Sequence, residues 1–445
     1  MKAFKAYDIR GVYNEDFNKE DVYKIGYFLP ELLDVEKILI GYDDRKSSPE
    51  VLDSLSRGIT DRGVDVHKMG YATTPMVYFA TAKYNYKGSV MITASHNPPE
   101  YNGLKISREN ALPVGYDSGL RELEEMIENK EVEPVKEAKK GKIIEKDYKD
   151  DYINFYQSYL PDLSNLNLAI DASNGMTAFI LDDILGDKPL YLYNEVDGTF
   201  PNHSPNPFEK ENRQDIKKAV MENDVDLGMI FDGDGDRVMF LDENGDFISP
   251  DLITALLAEY YIKNDRGKDI LYDIRTSRSV KEHVEKLGGR SHMWKVGHAY
   301  AKLKLREIDG ICGGELAGHY YFKDFFYCDS GMLTALIVLN VMEEIKKEGK
   351  TISELIAELD NYYSSGEINF EIENKNEMME KVKDHFYKKE EPLEFYDFDG
   401  YRLEYENWWF NIRPSNTEPY LRLVVEASSK ELLKEKVDKL KQIIK

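Results

Sequence analysis

The sequence predicts an α/β protein made of three related strand-helix segments followed by a smaller α+β domain. Three observations predict this. A chain of 445 residues exceeds the ~250 to 300 residues at which a single core stops growing. Short apolar runs rich in β-branched residues alternate with segments of helical period three times over. After residue 367 the alternation stops, and Trp- and Tyr-rich strands lie between two amphipathic helices.

The first segment, residues 1–150, contains the strand EKILIGY, then SSPEVLDSLSRGITDRG as a helix with Ser48 as cap, Pro49 in the first turn and Gly63 as stop, then the strand VDVHKMG. A helix over TTPMVYFATAKYN leads into the buried-type strand SVMIT, which opens at once into the loop ASHNPPEYNG. Residues 151–250 repeat the scheme with the strand LNLAID, a helix over TAFILDDIL, the strand PLYLYN, the helix DIKKAVMEND and the strand DLGMIF opening into DGDGDR. Residues 251–366 carry the helix DLITALLAEYYIKN, the strand DILYDI, the helix RSVKEHVEKLGG, the segment ICGGELAGHYYF and two further helices. Residues 367–445 give EINFEIEN, the helix EMMEKVKDHFYK, aromatic strands and a closing helix from Lys430. Ligands of open α/β sheets sit beyond strand carboxyl ends, so loops leaving three strands are expected to share one cleft.

Composition narrows the function. With 42% hydrophobic and 32% charged residues the chain is a soluble globular protein. Its net charge of −24 repels nucleic acid and anionic lipid, so a small anionic substrate needs a locally basic site. The start, MKAFKAYDIRG, has neither a signal core nor a transit pattern, and no apolar run approaches the ~20 residues of a membrane span, which points to the cytoplasm. Cys312 and Cys328 form no CxxC pair and are expected to be reduced packing residues.

Three motifs carry chemistry. In FDGDGDR, carboxylates at Asp232, Asp234 and Asp236 leave an apolar strand on a Gly-spaced loop, a hard-oxygen donor set suited to magnesium or calcium. An EF-hand starting at Asp232 would place Glu243 at position twelve, but Arg237 stands where the turn demands Gly, and both flanks read as strands. In TASHNPPEYNGLK, Ser95 follows a buried strand, with His96 beside it and Lys105 ten residues on. The Gly flanks of a hydrolase elbow are missing, which favours a phosphorylated serine. In RPSNTEP, Arg413, Ser415, Asn416 and Thr417 offer a guanidinium fork, hydroxyls and loop amides for a phosphate. A Walker loop is absent, since Glu344 occupies the first Gly position ahead of Gly349, Lys350 and Thr351. Two further loops offer Lys295 with His298, and Glu315 with His319.

The order and spacing of KAYDIRG, TASHNP, NGLK, DGDGDR, KVGHAYAK, GGELAGHY and RPSNTEP resemble the α-D-phosphohexomutase superfamily over essentially the whole chain. The resemblance implies four domains in a heart shape, the last of them TATA-binding-protein-like, around a central cleft. It implies a transferable phosphate on Ser95, one Mg2+ ion held by Ser95, Asp232, Asp234 and Asp236, sugar contacts from Glu315 and His319, and a distal phosphate on Arg413, Ser415, Asn416 and Thr417. Lys295 and Arg275 are further substrate-binding candidates. Lys105, His96 and His298 are candidates for proton transfer, with Arg10 and Arg237 stabilising phosphoryl charge.

Asn416 and the stretch HYYFKDFFYCDSG resemble the phosphomannomutase/phosphoglucomutase branch, while phosphoglucosamine mutases, the alternative, generally carry Gly at that position. The implied reaction interconverts hexose 1-phosphate and hexose 6-phosphate through a hexose 1,6-bisphosphate intermediate and activator. Its implied partners are small hexose phosphates, with the chain a monomer or weak homo-oligomer. Two residues depart from the family pattern. Ala317 replaces a usual Ser, which removes one sugar hydrogen bond of about 0.5–1.5 kcal/mol, and Arg275 stands where Lys is frequent.

Overall fold

A computed structural model describes residues 1–263, 265–415 and 419–444. The chain divides into two compact units, Met1–Ile248 with Ala317–Ser353, and Ser249–Leu316 with Glu354–Lys445.

The first unit holds two mixed sheets. In one, the order is Ile9–Val12, Tyr101–Arg108, Gly88–Ile92, Lys37–Tyr42, Asp65–Tyr71, Ile143–Glu145. Its first three strands pair antiparallel and the others parallel. In the other, Leu190–Leu192, Leu168–Asp171 and Leu227–Phe231 are parallel, and Leu227–Phe231 turns back antiparallel onto Val238–Leu241. The helix Ser48–Asp61 buries Val51, Leu55 and Ile59 in the same core as Ile38, Ile40, Val90 and Ile92. Complete burial of each such side chain is worth roughly 1.5–3 kcal/mol. The connection from Gly88–Ile92 to Tyr101–Arg108 and the one from Leu227–Phe231 to Val238–Leu241 are both antiparallel returns. They carry Ser95 and the three aspartates.

Several local expectations change. The cap of Ser48–Asp61 is Ser47, which makes no side-chain cap bond and whose Oγ accepts from Asn102 Nδ2 at 2.8 Å, while the Ser48 hydroxyl donates to Asp43 Oδ1 at 2.6 Å. Gly63 ends the helix in a left-handed conformation, φ +88°. The helix expected over TAFILDDIL is a 3-10 turn, Met176–Phe179, followed by one short α-helix, Leu181–Leu185. The helix Lys19–Leu33 lies ahead of the first predicted element. Gly26 and Pro30 obscure its helical signal, while the Asn18–Asp21 capping box and the buried face Val22, Ile25, Leu29 stabilise it. Residues 317–353, which fall with the first unit in the division of the chain, hold the antiparallel hairpin Tyr320–Phe322, Cys328–Asp329 and the helix Gly331–Lys347.

The second unit begins with the parallel strands Arg290–Trp294, Asp269–Asp273 and Cys312–Gly314, and helices Pro250–Ile262, Arg278–Lys286 and His298–Glu307. Its C-terminal part is an antiparallel sheet centred on Trp408–Pro414 and Tyr420–Ala427. Phe386 from Lys375–Tyr387 and Leu440 from Lys430–Ile444 share its core with Phe410, Leu423 and Val425. That is the expected α+β domain. Among the described residues no helix is long and apolar enough to cross a membrane.

A buried carboxyl in this sheet gives a pH prediction. Glu426 is 2% exposed and accepts hydrogen bonds from Trp409 Nε1 at 2.6 Å and the Arg278 amide at 3.1 Å. Burial pushes it up to about 7 despite these donors and the Arg402 charge. The folded state therefore holds this proton more tightly than the unfolded chain. The resulting stability is fully present below the unfolded value of ~4.3 and is lost as pH rises through about 7. Denaturant unfolding between pH 5 and 8 should show a loss on the order of 2–3 kcal/mol in wild type that Glu426→Gln lacks. All three tryptophans, Trp294, Trp408 and Trp409, lie in this unit, so their fluorescence follows its unfolding. Equal pH slopes in both proteins would contradict the assignment.

Candidate active site

The loop after Gly88–Ile92 bends sharply, and Ser95 takes a left-handed conformation with φ +53°, a region in which a non-glycine residue costs roughly 1–3 kcal/mol. This conformation directs the Ser95 hydroxyl inward. Its Oγ lies 3.0 Å from Asp232 Oδ2, 3.2 Å from His96 Nδ1 and 3.5 Å from Arg237 Nη2, at 3% exposure. The expected partners Ser95, His96, Asp232 and Arg237 are thus brought together.

The aspartate loop is shaped by its two glycines. A Cβ on Gly233 would meet the Ser95 carbonyl oxygen at 2.5 Å, so only glycine lets the two loops touch. Gly235 has φ +75°, and its amide donates to Asp232 Oδ1 at 3.0 Å. The turn therefore points three carboxylates into one buried space.

Neighbouring strands bring in the cations. Lys105, on Tyr101–Arg108, donates to Asp234 Oδ2 at 2.7 Å and Asp236 Oδ2 at 2.6 Å. Arg10, on the adjoining Ile9–Val12, donates to Asp8 at 3.0 Å and to Asn97 Oδ1 at 3.0 Å. Arg237 Nε pairs with Asp232 at 3.1 Å. Burial and the two neighbouring carboxylates drive Asp232 well above the usual carboxylate range. Burial opposes ionisation of Asp234 and Asp236 too, but the Lys105 charge holds both below that range. His96 is pushed well below its ordinary value by burial and by Arg237, Arg10 and Lys105, which keeps its imidazole neutral near pH 7.

The donor set fits a hard divalent cation. One oxygen each from Asp232, Asp234 and Asp236 lies within 4.8 Å of the others. The Oδ1 atoms of Asp234 and Asp236 are buried without a hydrogen-bond partner, a costly state for a charged group that a metal would relieve.

His319, expected beside Glu315 on one sugar loop, sits in the first unit next to the aspartates. Its Nδ1 is 2.8 Å from Asp329 Oδ2 and 3.6 Å from Asp236 Oδ1. Glu315 lies in the second unit, 3% exposed, and accepts from the Gly297 amide. His298 opens the helix His298–Glu307, and Lys295 Nζ lies 5.7 Å from the Tyr300 ring centre.

Elsewhere in the second unit, Arg275 Nη1 and Arg413 Nη2 each lie 3.4 Å from Glu367 Oε2, with Arg422 Nη1 3.2 Å from Oε1. Arg275 also forks onto Asp273 at 2.7 and 3.0 Å. Three guanidinium groups on one carboxylate leave an excess of positive charge suited to a phosphate. Among the described residues, the buried Arg413 Nε has no hydrogen-bond partner. The Ser415 amide bonds the Tyr420 carbonyl at 2.8 Å. Asn416 and Thr417 lie outside the described residues.

Sequence reasoning missed Thr74, whose hydroxyl donates to Asp234 Oδ2, together with Arg45, Asp329, Glu367 and Arg422. Thr74, Asp329 and Glu367 lie in quoted segments but were given no role there, and Arg45 and Arg422 lie in none.

Family descriptions for phosphoglucomutase/phosphomannomutase match in four parts: alpha/beta/alpha domain I over residues 1–133, domain II over 146–245, domain III over 249–362 and the C-terminal domain over 367–443. A phosphomannomutase of Methanocaldococcus jannaschii is 38% identical, with 100% of this chain and 98% of that protein covered. One from Escherichia coli is 38% identical, over 96% and 95%. The crystal structure of a phosphoglucomutase/phosphomannomutase family protein from Burkholderia thailandensis superposes with a TM-score of 0.90 at 31% identity, covering 100% of this chain and 97% of that one. With four ordered domain matches and relatives alike over the full length, the chain belongs to the phosphoglucomutase/phosphomannomutase family.

Proposed function

We propose that this protein is a phosphomannomutase/phosphoglucomutase that interconverts hexose 1-phosphate and hexose 6-phosphate through a phosphoserine at Ser95 and a hexose 1,6-bisphosphate. The observation that carries the reading is the Ser95 hydroxyl 3.0 Å from Asp232, within a buried aspartate triad that has two unpartnered oxygens. Relatives named phosphomannomutase at 38% identity support it over a phosphoglucosamine mutase.

Phosphoserine 95 donates its phosphoryl group to the free hydroxyl of a bound hexose phosphate. The resulting bisphosphate turns over and returns its other phosphate to Ser95. Asp232, Asp234 and Asp236 would hold Mg2+, which neutralises charge on the transferring group. Arg237, at 3.5 Å from Ser95 Oγ, and Arg10 add positive charge at the same place. Ser95 must regain its proton in each cycle, and neutral His96 at 3.2 Å is within reach to carry it. Lys105, bridging two carboxylates, keeps the loop compact and its charge balanced. We assign the hexose's other phosphate to Arg413, Ser415, Asn416 and Thr417 with Arg275, and sugar and proton-transfer contacts to Glu315, His319, Lys295 and His298.

Residues 1–150, 151–250, 251–366 and 367–445 are assigned as the functional domains of a cytoplasmic monomer or weak homo-oligomer. A coupled assay of glucose 1-phosphate and mannose 1-phosphate, with Mg2+ and catalytic bisphosphate, tests the function. Conversion of both supports the reading. Conversion of neither overturns it.

A further inference from the structure

We propose that Arg45 is a positioning residue for phosphoryl transfer, a buried guanidinium that holds the turn Ser95 to Tyr101 in the shape that aims the Ser95 hydroxyl at the aspartate loop. The inference rests on the phosphoserine reading of Ser95.

Arg45 is 1% exposed. Its Nη2 donates to the carbonyls of Ser95 at 2.9 Å and Asn97 at 2.7 Å, and its Nη1 to those of Pro98 at 2.5 Å and Tyr101 at 3.2 Å. Its Nε donates to Asp43 Oδ2 at 3.1 Å. A guanidinium has five N–H groups in a fixed plane, and five acceptors receive them here. No donor remains for a substrate, so the group acts through the loop it holds.

The loop needs such a partner. Pro98 and Pro99 remove two amide donors, and Ser95 lies in the left-handed region. The buried Ser95 carbonyl and the half-buried Asn97 carbonyl both take their hydrogen bonds from Arg45. Arg45 is itself fixed. Asp43 Oδ1 accepts from the Arg45 amide at 3.2 Å and from the Ser48 hydroxyl at 2.6 Å, Asn102 Nδ2 donates to Ser48 Oγ at 3.1 Å, and the Phe200 ring centre lies 5.1 Å from the guanidinium. Lysine could keep the charge but offers three donors from a single point.

Arg45→Lys and Arg45→Met in the full chain test this, assayed well below their melting temperatures. A displacement of ~1 Å at the reacting atom can cost about a hundredfold in rate. The expected result is a fall in kcat of about a hundredfold for Arg45→Lys, and further for Arg45→Met, with KM within about threefold of wild type. Amide exchange should accelerate in residues 95–101 while the strand Leu227–Phe231 keeps its protection. A kcat for Arg45→Lys within about twofold of wild type overturns the proposal, as does a loss of protection spread over the whole first unit, which marks a purely structural role. If Arg45→Met does not fold, Asp43→Asn, which loosens the guanidinium, should lower kcat with KM unchanged, and an unchanged kcat overturns the proposal. Mass spectrometry of wild type treated with hexose 1,6-bisphosphate separates the two readings. Phosphate absent from Ser95 means that the phosphoserine reading has failed and Arg45 with it, whereas phosphorylated wild type beside a fully active Arg45→Lys means that only Arg45 was misassigned.

Discussion

Replacing Ser95 by alanine should leave a folded protein that interconverts hexose phosphates at least about a thousandfold more slowly than wild type. The side chain is the only acceptor the mechanism offers for the transferred phosphoryl group, and alanine has no oxygen to take it. The stability cost should stay near 1 kcal/mol, the net worth of a typical hydrogen bond. Asp232 Oδ2, which loses the serine hydroxyl, keeps Arg237 Nε at 3.1 Å and is not left bare. Turnover, phosphopeptide mass and thermal melting can be measured on one preparation. A folded Ser95→Ala protein with activity close to wild type would mean that phosphate passes by another residue, and the mechanism would be wrong.

Asp234→Asn should lower kcat by about 10²–10³-fold, the usual loss when one element of a preorganised charge-stabilising site is removed. A chelator should produce a comparable loss in wild type, reversed by added Mg2+. The same substitution separates metal binding from general damage. A ligand present at about 100 times its dissociation constant stabilises the folded state by roughly 2.7 kcal/mol, so Mg2+ should raise the melting temperature of wild type and raise it much less in Asp234→Asn. The substitution keeps a hydrogen-bond acceptor for Lys105 and Thr74, so the metal-free variant should melt near metal-free wild type. An equal Mg2+-induced shift in both proteins would show that Asp234 is not a ligand.

The aspartate triad was legible because its donors lie within five residues of one another, and local spacing is enough to recognise a hard-cation loop. Arg413 and Ser415 became phosphate-binding candidates on the same local ground. The hydrogen bonds that tie these groups to their companions could not be read from local spacing, although the family resemblance had set Ser95 beside the triad. Lys105 reaches its aspartates across 129 and 131 positions, and Ser95 reaches Asp232 across 137. Glu367, which gathers Arg275, Arg413 and Arg422, reads in sequence as one more exposed acid at a strand end. The His319 contact with Asp329, beside Asp236, likewise follows from no local motif. Helix boundaries failed where capping residues compete: Ser48 is a plausible cap, but Asp43 takes its hydroxyl and Ser47 stands at the helix start.

The α/β class, the change to an α+β domain after residue 367 and the hard-oxygen donor set could all be read from the chain, as could the candidacy of Ser95. Each of these depends on periodicity or on residues close together in the chain. Folding of the sheets was needed to show which cations face which carboxylates, that His319 contacts Asp329 and that Arg45 bonds the carbonyls of the serine turn. The physical reason is that hydrogen bonds and charge pairs depend on distances of about 3 Å, and only packed sheets bring residues a hundred positions apart within that reach.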